Sequence, residues 1–407
     1  MSEAPGMVIV GGGMAAARAC INFRAQDYQG PITLVSEEAL LPYDRPPLSK
    51  ASIVDEAGAE PVLLLDEGIV ASLKVDVRLG KAVTAINRAE KTITLSDGSK
   101  IAYAKLLLAT GAKPRKLNCP GGEYALTLRD QQDTLVLRAK FKPGKKIVVI
   151  GGGFIGLELA SSARKLGCVV TLIEAQPRIL MRGVPEPIAK MVHERHVKAG
   201  VTMIIGTGLS HLTAHAVHLA DGRVIAADTI IAGIGAAPEV QLAADAGLAI
   251  ENGIACTAQM QTSDPDIYAA GDCASFAHEQ MGGRRIRLEA WRSAQEQAVT
   301  AVENMLGGSK AHVNVPWFWS DQYDLSLQIT GMADMGPRTV VRAPAETALI
   351  LFHLAEDGAI KGASGIGPGN SIARDIKLAE MMIAKQMKPD VGALSDPAVQ
   401  LKSLLKG

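Results

Sequence analysis

The sequence predicts an α/β protein in which two Rossmann-like dinucleotide-binding domains are combined with a C-terminal α+β domain. Three observations carry this. Gly11-Gly12-Gly13-Met14-Ala15-Ala16 and Gly151-Gly152-Gly153-Phe154-Ile155-Gly156 each follow a short apolar strand and open a helix-like stretch. Each is followed by a second strand that runs into an acid, Glu37 or Glu174. From about Tyr323 the pattern changes to short strands and then to helix-like sequence.

The first unit reads as strand MVIV (7–10), glycine turn, helix to about Gln26 and strand ITLVSEE. In such a turn the first glycine (Gly11) permits the tight bend, and the second (Gly13) lets the backbone approach a pyrophosphate. The third position, here Ala16, lets helix and strand pack closely. The helix N-terminus offers N–H groups and a positive dipole end to phosphates. The second unit repeats the pattern with IVVI (147–150), Gly151, Gly153, Gly156 and the strand VVTLIE. A carboxylate at Glu37 or Glu174 can hydrogen-bond adenosine ribose hydroxyls. Glu174 would repel a 2′-phosphate and so favours NADH, whereas Arg178 and Arg182 just after it could accommodate that phosphate. Two nucleotide sites in one chain point to an FAD-dependent oxidoreductase that takes hydride from a nicotinamide.

Further along, Ala109-Thr110-Gly111 after KLLLA closes the first unit, and AKPR marks the crossing into the second. ADTIIAGIGAAPE (227–239) supplies a strand and a turn at Gly233 and Gly235. TSDPDIYAAGD (262–272) marks the return to the first unit. Asp272 there can accept hydrogen bonds from a ribityl chain, cap a helix, or do both. LSLQITGMA, RTVVRA and ALILFHLAEDGAIKGASGIG supply the strands of the last module, with helix from about Asn370.

A chain of 407 residues with 48% hydrophobic composition is long enough for two or three lobes. Lysine plus arginine and aspartate plus glutamate each number 42, so no bulk charge advertises nucleic acid or membrane as a partner. No segment approaches the roughly 18 apolar residues of a membrane span, and the start lacks a basic, then apolar, signal pattern. A cytoplasmic location is the default expectation. Cys20, Cys119, Cys168, Cys256 and Cys273 form no C-x-x-C pair and no metal spacing, so each is expected to be a small buried apolar residue and no metal is expected.

Taken together, GGGMAA, LLPYDRPPLSK (40–50), ATGAKPR, GGGFIGLELA (151–160), EAQPR, GIG, TSDPDIYAAGD and WFWSDQY (317–323) resemble the putidaredoxin reductase-like family. These are NADH-dependent ferredoxin reductases of cytochrome P450 and aromatic-ring dioxygenase systems. The likeness covers nearly the whole chain, and YDRPPLSK and WFWSDQ are its specific parts. It implies a glutathione reductase-like architecture: an FAD domain from 1–112 and 246–322, an NADH domain at 113–245, and a C-terminal domain at 323–407. It implies that Glu37, Arg45, Lys50, Thr110, Gly111, Arg129, Asp272, Trp291 and Trp319 contact FAD, and that Glu174, Arg182 and Gly235 contact NADH. Lys50, near the reactive flavin edge, would be paired with Glu158. There a lysine cation favours the negative charge of reduced flavin, although a plain buried ion pair is the alternative. Trp317 and Trp319 can be core residues or, for Trp319, a flavin neighbour.

A redox-active disulfide or peroxide reductase would need a cysteine shortly after the ribose acid, and residues 37–60 contain none. A redox-sensing flavoprotein of the apoptosis-inducing type would be expected to show long insertions or basic surfaces, and neither is visible. The expected partner is a [2Fe–2S] ferredoxin. Such ferredoxins are commonly acidic, so Arg284, Arg285, Arg287, Lys377, Lys385, Lys388, Lys402 and Lys406 are candidates for a basic docking face.

Overall fold

Strand Gly6–Val10 is buried along its length and pairs in parallel with Ile32–Val35 on one side and Lys100–Leu108 on the other. A strand covered on both edges and both faces needs the unbroken apolar run that the sequence supplies here. Val75–Arg78 extends the sheet beyond Ile32–Val35. Ile267–Ala269 lies parallel to the C-terminal half of Lys100–Leu108, and the antiparallel strands Thr92–Leu95 and Val83–Asn87 continue from its N-terminal half. This computed structural model describes residues 5–405, so Lys406 lies outside the described residues.

A second parallel sheet has the order Thr202–Ile205, Val169–Glu174, Lys146–Ile150, Thr229–Ala232, Ala125–Leu126. The C-terminal sheet is antiparallel throughout, in the order Trp317–Gln322, Leu325–Gly331, Ile360–Pro368, Ala348–Leu354, Arg338–Ala345. Helix Ala373–Ala384 covers one face, burying Ile376, Ala379, Met382 and Ile383 against Ile350, Phe352, Ile360 and Ala363. From the opposite face Leu327, Leu351 and Ile366 join the core that holds Val149, Leu159 and Ile188 of the second nucleotide sheet and its helices.

Contacts gather the chain into two units. One comprises residues up to Arg45, Pro61–Lys113 and Ala237–Asn314; the other comprises Pro46–Glu60, Pro114–Ala236 and residues from Val315 on. The borders expected from sequence shift at three places, each for a local reason. Pro46–Glu60 joins the second unit because Arg138 donates to the carbonyls of Ser52, Ile53 and Asp55, and Ser162 donates to the carbonyl of Ser49 at 2.7 Å. Residues near Glu239 stay with the first unit, where Thr110 Oγ1 donates to the Glu239 carbonyl at 2.6 Å. The C-terminal module begins at Trp317 rather than at 323, because Trp317–Gln322 is its edge strand and turns back through Tyr323, at φ 57°.

Candidate nucleotide-binding and redox site

The two glycine turns have the same anatomy. Gly11 has φ +131°, and a Cβ there would lie 2.1 Å from the Ala109 carbonyl oxygen. Gly151 has φ +108°, and its Cβ would lie 2.4 Å from the Gly233 carbonyl oxygen. At the third position a Cβ on Gly156 would meet the Gly151 carbonyl oxygen at 2.1 Å, whereas Ala16 fits and is fully buried. Gly13 and Gly153 differ. A Cβ on Gly13 would meet nothing nearer than Arg45 Nε at 3.8 Å, and one on Gly153 nothing nearer than the Gly233 carbonyl oxygen at 3.7 Å. Each stands at the N-cap of a helix, Met14–Ala25 or Phe154–Lys165, with no side-chain cap hydrogen bond and no acid in the first turn. The protein itself gives no packing reason for these two glycines. An approaching pyrophosphate does, so both turns fit a dinucleotide.

The acids are not equivalent. Gly11 N–H donates to the Val35 carbonyl and Gly151 N–H to the Ile173 carbonyl, each at 2.8 Å. By that register Ser36 occupies the position of Glu174, and Glu37 follows one residue later, exposed. Glu174 accepts from the N–H groups of Gly152 and Gln176, both at 2.7 Å, which fixes its carboxylate at the glycine turn. Arg178 donates to the carbonyls of Ile179, Leu180 and Val184, each at 3.0 Å, and so ties its own loop. Arg182 is exposed, with a guanidinium nitrogen 3.3 Å from where a Cβ on Gly235 would stand. Of the two arginines, Arg182 is therefore the one placed at the glycine-lined turn.

In the first unit Gly111, at φ +72°, accepts at its carbonyl from the Glu239 N–H at 2.9 Å, while Thr110 bonds the Glu239 carbonyl. Arg45 is paired with Glu38, which also accepts from the Tyr43 hydroxyl at 2.6 Å. Trp291 opens helix Trp291–Met305, and its indole N–H donates to Asp44 at 2.6 Å. Asp272 is half-buried after Gly271 at φ +87° and precedes strand Ala274–His278. The helix-cap alternative for Asp272 falls, because no helix starts there: the Ala274 N–H turns back to the Gly271 carbonyl at 3.0 Å.

In the second unit Lys50 Nζ lies 3.0 Å from Glu158, a carboxylate only 5% exposed at its side chain. A buried carboxylate is tolerable only when its oxygens are satisfied. The Ser49 and Ser320 hydroxyls both donate to it, the latter at 2.6 Å. The geometry follows from periodicity. Phe154 and Glu158 share a helix face at i, i+4, and Phe318 and Ser320 share a strand face at i, i+2. Phe318 packs on Phe154 with ring centroids 4.4 Å apart, which sets Ser320 over Glu158. Trp317 and Trp319 project from the other face and stack, 5.2 Å apart. The Arg129 N–H donates to Asp133 at 2.8 Å beside the Asp130 cap of helix Gln131–Lys140.

Ser49 and Ser320 stand inside YDRPPLSK and WFWSDQ, and Asp44 and Glu239 hold Trp291 and Thr110, yet no local sequence pattern marks any of the four as part of the site. The 284–287 arginines, expected as a set on the surface, do not stay together there. Arg285 instead donates to the carbonyls of Cys256 and Ser275 and pairs with Glu251, and Arg287 donates to the Asp272 carbonyl and to Glu289. Only Arg284 of the three is exposed. Lys377 and Lys388 pair with Glu380 and Asp357. Four cysteines are buried and Cys119 is partly exposed, against the expectation that all five are buried. No group of three or more histidine, cysteine, aspartate or glutamate side chains among the described residues could hold a metal, and no described helix is long and apolar enough to cross a membrane.

Residues 5–298 match the family described as pyridine nucleotide-disulphide oxidoreductase. The chain belongs to that family. Residues 317–405 match a second one described as reductase C-terminal, again starting at the edge strand rather than at 323. Among relatives within the pyridine nucleotide-disulphide oxidoreductases is the ferredoxin–NAD(+) reductase component of an anthranilate 1,2-dioxygenase system from Burkholderia cepacia. It is 39% identical, with 100% of both chains covered. Among solved structures, the reductase of a covalent putidaredoxin reductase–putidaredoxin complex superimposes with a TM-score of 0.92 at 32% identity, covering 100% of this chain and 99% of that one. The ferredoxin reductase for the CYP199A2 system from Rhodopseudomonas palustris does so with 0.93 at 33% identity, covering 98% and 99%.

Proposed function

We propose that this protein is an FAD-dependent NADH:ferredoxin oxidoreductase that passes single electrons to a [2Fe–2S] ferredoxin serving a cytochrome P450 or a ring-hydroxylating oxygenase. The observation that carries this is the pair of glycine turns, each with one glycine that only an incoming pyrophosphate explains, in a chain similar over its full length to ferredoxin reductases. We assign FAD to the turn at Gly11 and Gly13, with Ala16, Glu37, Arg45, Thr110, Gly111, Asp272 and Trp291. Lys50, Arg129 and Trp319 complete its contacts. NADH goes to Gly151, Gly153 and Gly156, with Glu174, Arg182 and Gly235. When bound, FAD supplies the conversion of a two-electron hydride into single electrons. The chain's own residues bind, orient and set charge. Lys50, held by Glu158, offers a fixed cation, and Glu174 rejects a 2′-phosphate by like charge. A cytoplasmic setting suits a consumer of NADH whose five cysteines are all free thiols.

The test is direct. Protein purified with adequate FAD should be yellow, bleach on mixing with NADH faster than with NADPH, and then reduce a [2Fe–2S] ferredoxin in stopped flow. Absence of flavin, or slow electron loss to oxygen alone, would sink the reading. For docking, charge reversal belongs at Arg284. Arg284→Glu should raise the ferredoxin KM severalfold at low salt and leave flavin reduction by NADH unchanged, since steering is screened over about 8 Å at physiological salt. Insensitivity to both salt and reversal would make docking mainly apolar.

A further inference from the structure

The Glu158 carboxylate is the end of a longer line of hydrogen bonds than the Lys50 pair requires. Gln322 Nε2 donates to Ser320 Oγ at 3.2 Å, and Ser320 Oγ donates to Glu158 Oε1 at 2.6 Å. The Gln322 carbonyl oxygen lies 2.8 Å from His196 Nε2, and His196 Nδ1 lies 3.4 Å from the Tyr323 hydroxyl. His196, Gln322, Ser320 and Glu158 are all buried. Direction follows from chemistry. The Gln322 oxygen can only accept, so His196 must carry its proton on Nε2, which leaves Nδ1 to accept from Tyr323. Ser320, receiving the amide N–H, spends its one proton on Glu158. Every link therefore donates toward the carboxylate, which also accepts from Ser49 and Lys50.

We propose that His196, Gln322 and Ser320 are positioning residues that act through Glu158 on Lys50, by a one-way hydrogen-bond chain that admits only one His196 tautomer. The proposal rests on the assignment of Lys50 to the flavin. An isolated buried ion pair would leave Glu158 free to rotate about its terminal torsion, whereas donors on both of its oxygens fix the plane of the carboxylate and thereby the Lys50 ammonium. The links are contributed by helix Glu186–Lys198 and strand Trp317–Gln322, so the nucleotide fold and the C-terminal sheet each supply part of it.

The experiment uses flavin-loaded protein and two readouts. In ¹⁵N-histidine NMR, His196 should show the Nε2–H tautomer near neutral pH; an Nδ1–H tautomer overturns the chain itself. In redox titration, His196→Phe, Gln322→Met and Ser320→Ala should each lower the flavin midpoint potential and slow reduction by NADH about fivefold, the scale of one lost link in a coupled network. His196→Gln and Ser320→Thr keep the donors and should restore both. In a Glu158→Gln background the three disruptive changes should have no further effect on the potential. Equal shifts in both backgrounds would make them general packing defects and overturn the proposal. Gln322→Met is neutral and close in volume and keeps the test open should His196→Phe not fold. Protein that binds no flavin refutes the assigned function, while flavin-loaded variants with unchanged potential refute the positioning chain alone.

Discussion

Gly13 and Gly153 can be separated from their neighbours by adding one methyl group. Alanine at either meets nothing within 3.7 Å, so Gly13→Ala and Gly153→Ala should fold with Tm near that of the parent. They should nonetheless lose FAD occupancy and weaken NADH binding, respectively, by tenfold or more, roughly 1.4 kcal/mol, because the methyl occupies the pyrophosphate's approach. Gly11→Ala and Gly151→Ala combine a positive φ with a Cβ at 2.4 Å or less from a carbonyl oxygen and should cost more than about 1 kcal/mol of stability before any ligand is added. Thermal melts of flavin-stripped protein beside flavin content distinguish the two classes. Glu174→Ala should narrow the preference for NADH over NADPH in steady-state kinetics. It should also lower stability by about 1 kcal/mol, since the Gly152 and Gln176 N–H groups lose their acceptor. An unchanged preference would place the discriminating charge elsewhere, with Arg182 the next residue to change.

At the level of elements, the C-terminal segment hangs on one side chain. Arg342, on strand Arg338–Ala345 and buried, donates to the carbonyls of Leu394, Asp396, Pro397 and Val399 and lies 3.5 Å from Asp375. A guanidinium spreads several donors in a fixed plane, which an ammonium cannot imitate. Arg342→Lys should therefore loosen helices Val391–Ser395 and Leu401–Leu404 while leaving the sheet intact. Hydrogen exchange across residues 391–404 should rise by tenfold or more, with protection of Ile360–Pro368 retained. Elements of this kind mark where sequence stops being informative. The glycine turns, their flanking strands and Glu174 were legible because the chemistry is local: a strand, a turn and a helix within about thirty residues. The strands after Tyr323 were legible from their alternation. Ser49 and Ser320 on Glu158, Gln322 on His196 and Arg285 on Glu251 were not, because those partners are far apart along the chain and no local pattern pairs them. The start of the C-terminal module is not legible because WFWSDQ reads equally well as the end of one module or the edge strand of the next.

For the whole molecule, four buried histidines, His196, His278, His312 and His353, titrate below the usual imidazole range. Burial pulls the His196 and His353 imidazoles down to about 4, and burial together with neighbouring His278 does the same for His312. In the unfolded chain an imidazole titrates near 6.5. Between those values the unfolded state binds protons that the folded state excludes, so stability is fully present above pH 6.5 and is lost progressively as pH falls toward 4. Guanidinium midpoints should fall between about pH 7.5 and about pH 5, and His353→Gln should flatten that slope. A slope unaffected by replacing these rings would locate the acid sensitivity in the carboxylates. The interleaved strand order bears also on how the chain is made. The second nucleotide sheet takes all its strands from between Ala125 and Ala232, whereas Lys100–Leu108 of the first waits for Ile267–Ala269. On the ribosome the second nucleotide sheet thus has all its strands before the first does, and the first sheet emerges with Leu106–Leu108 exposing an unpaired edge, a ready template for wrong pairing until Ile267–Ala269 arrives.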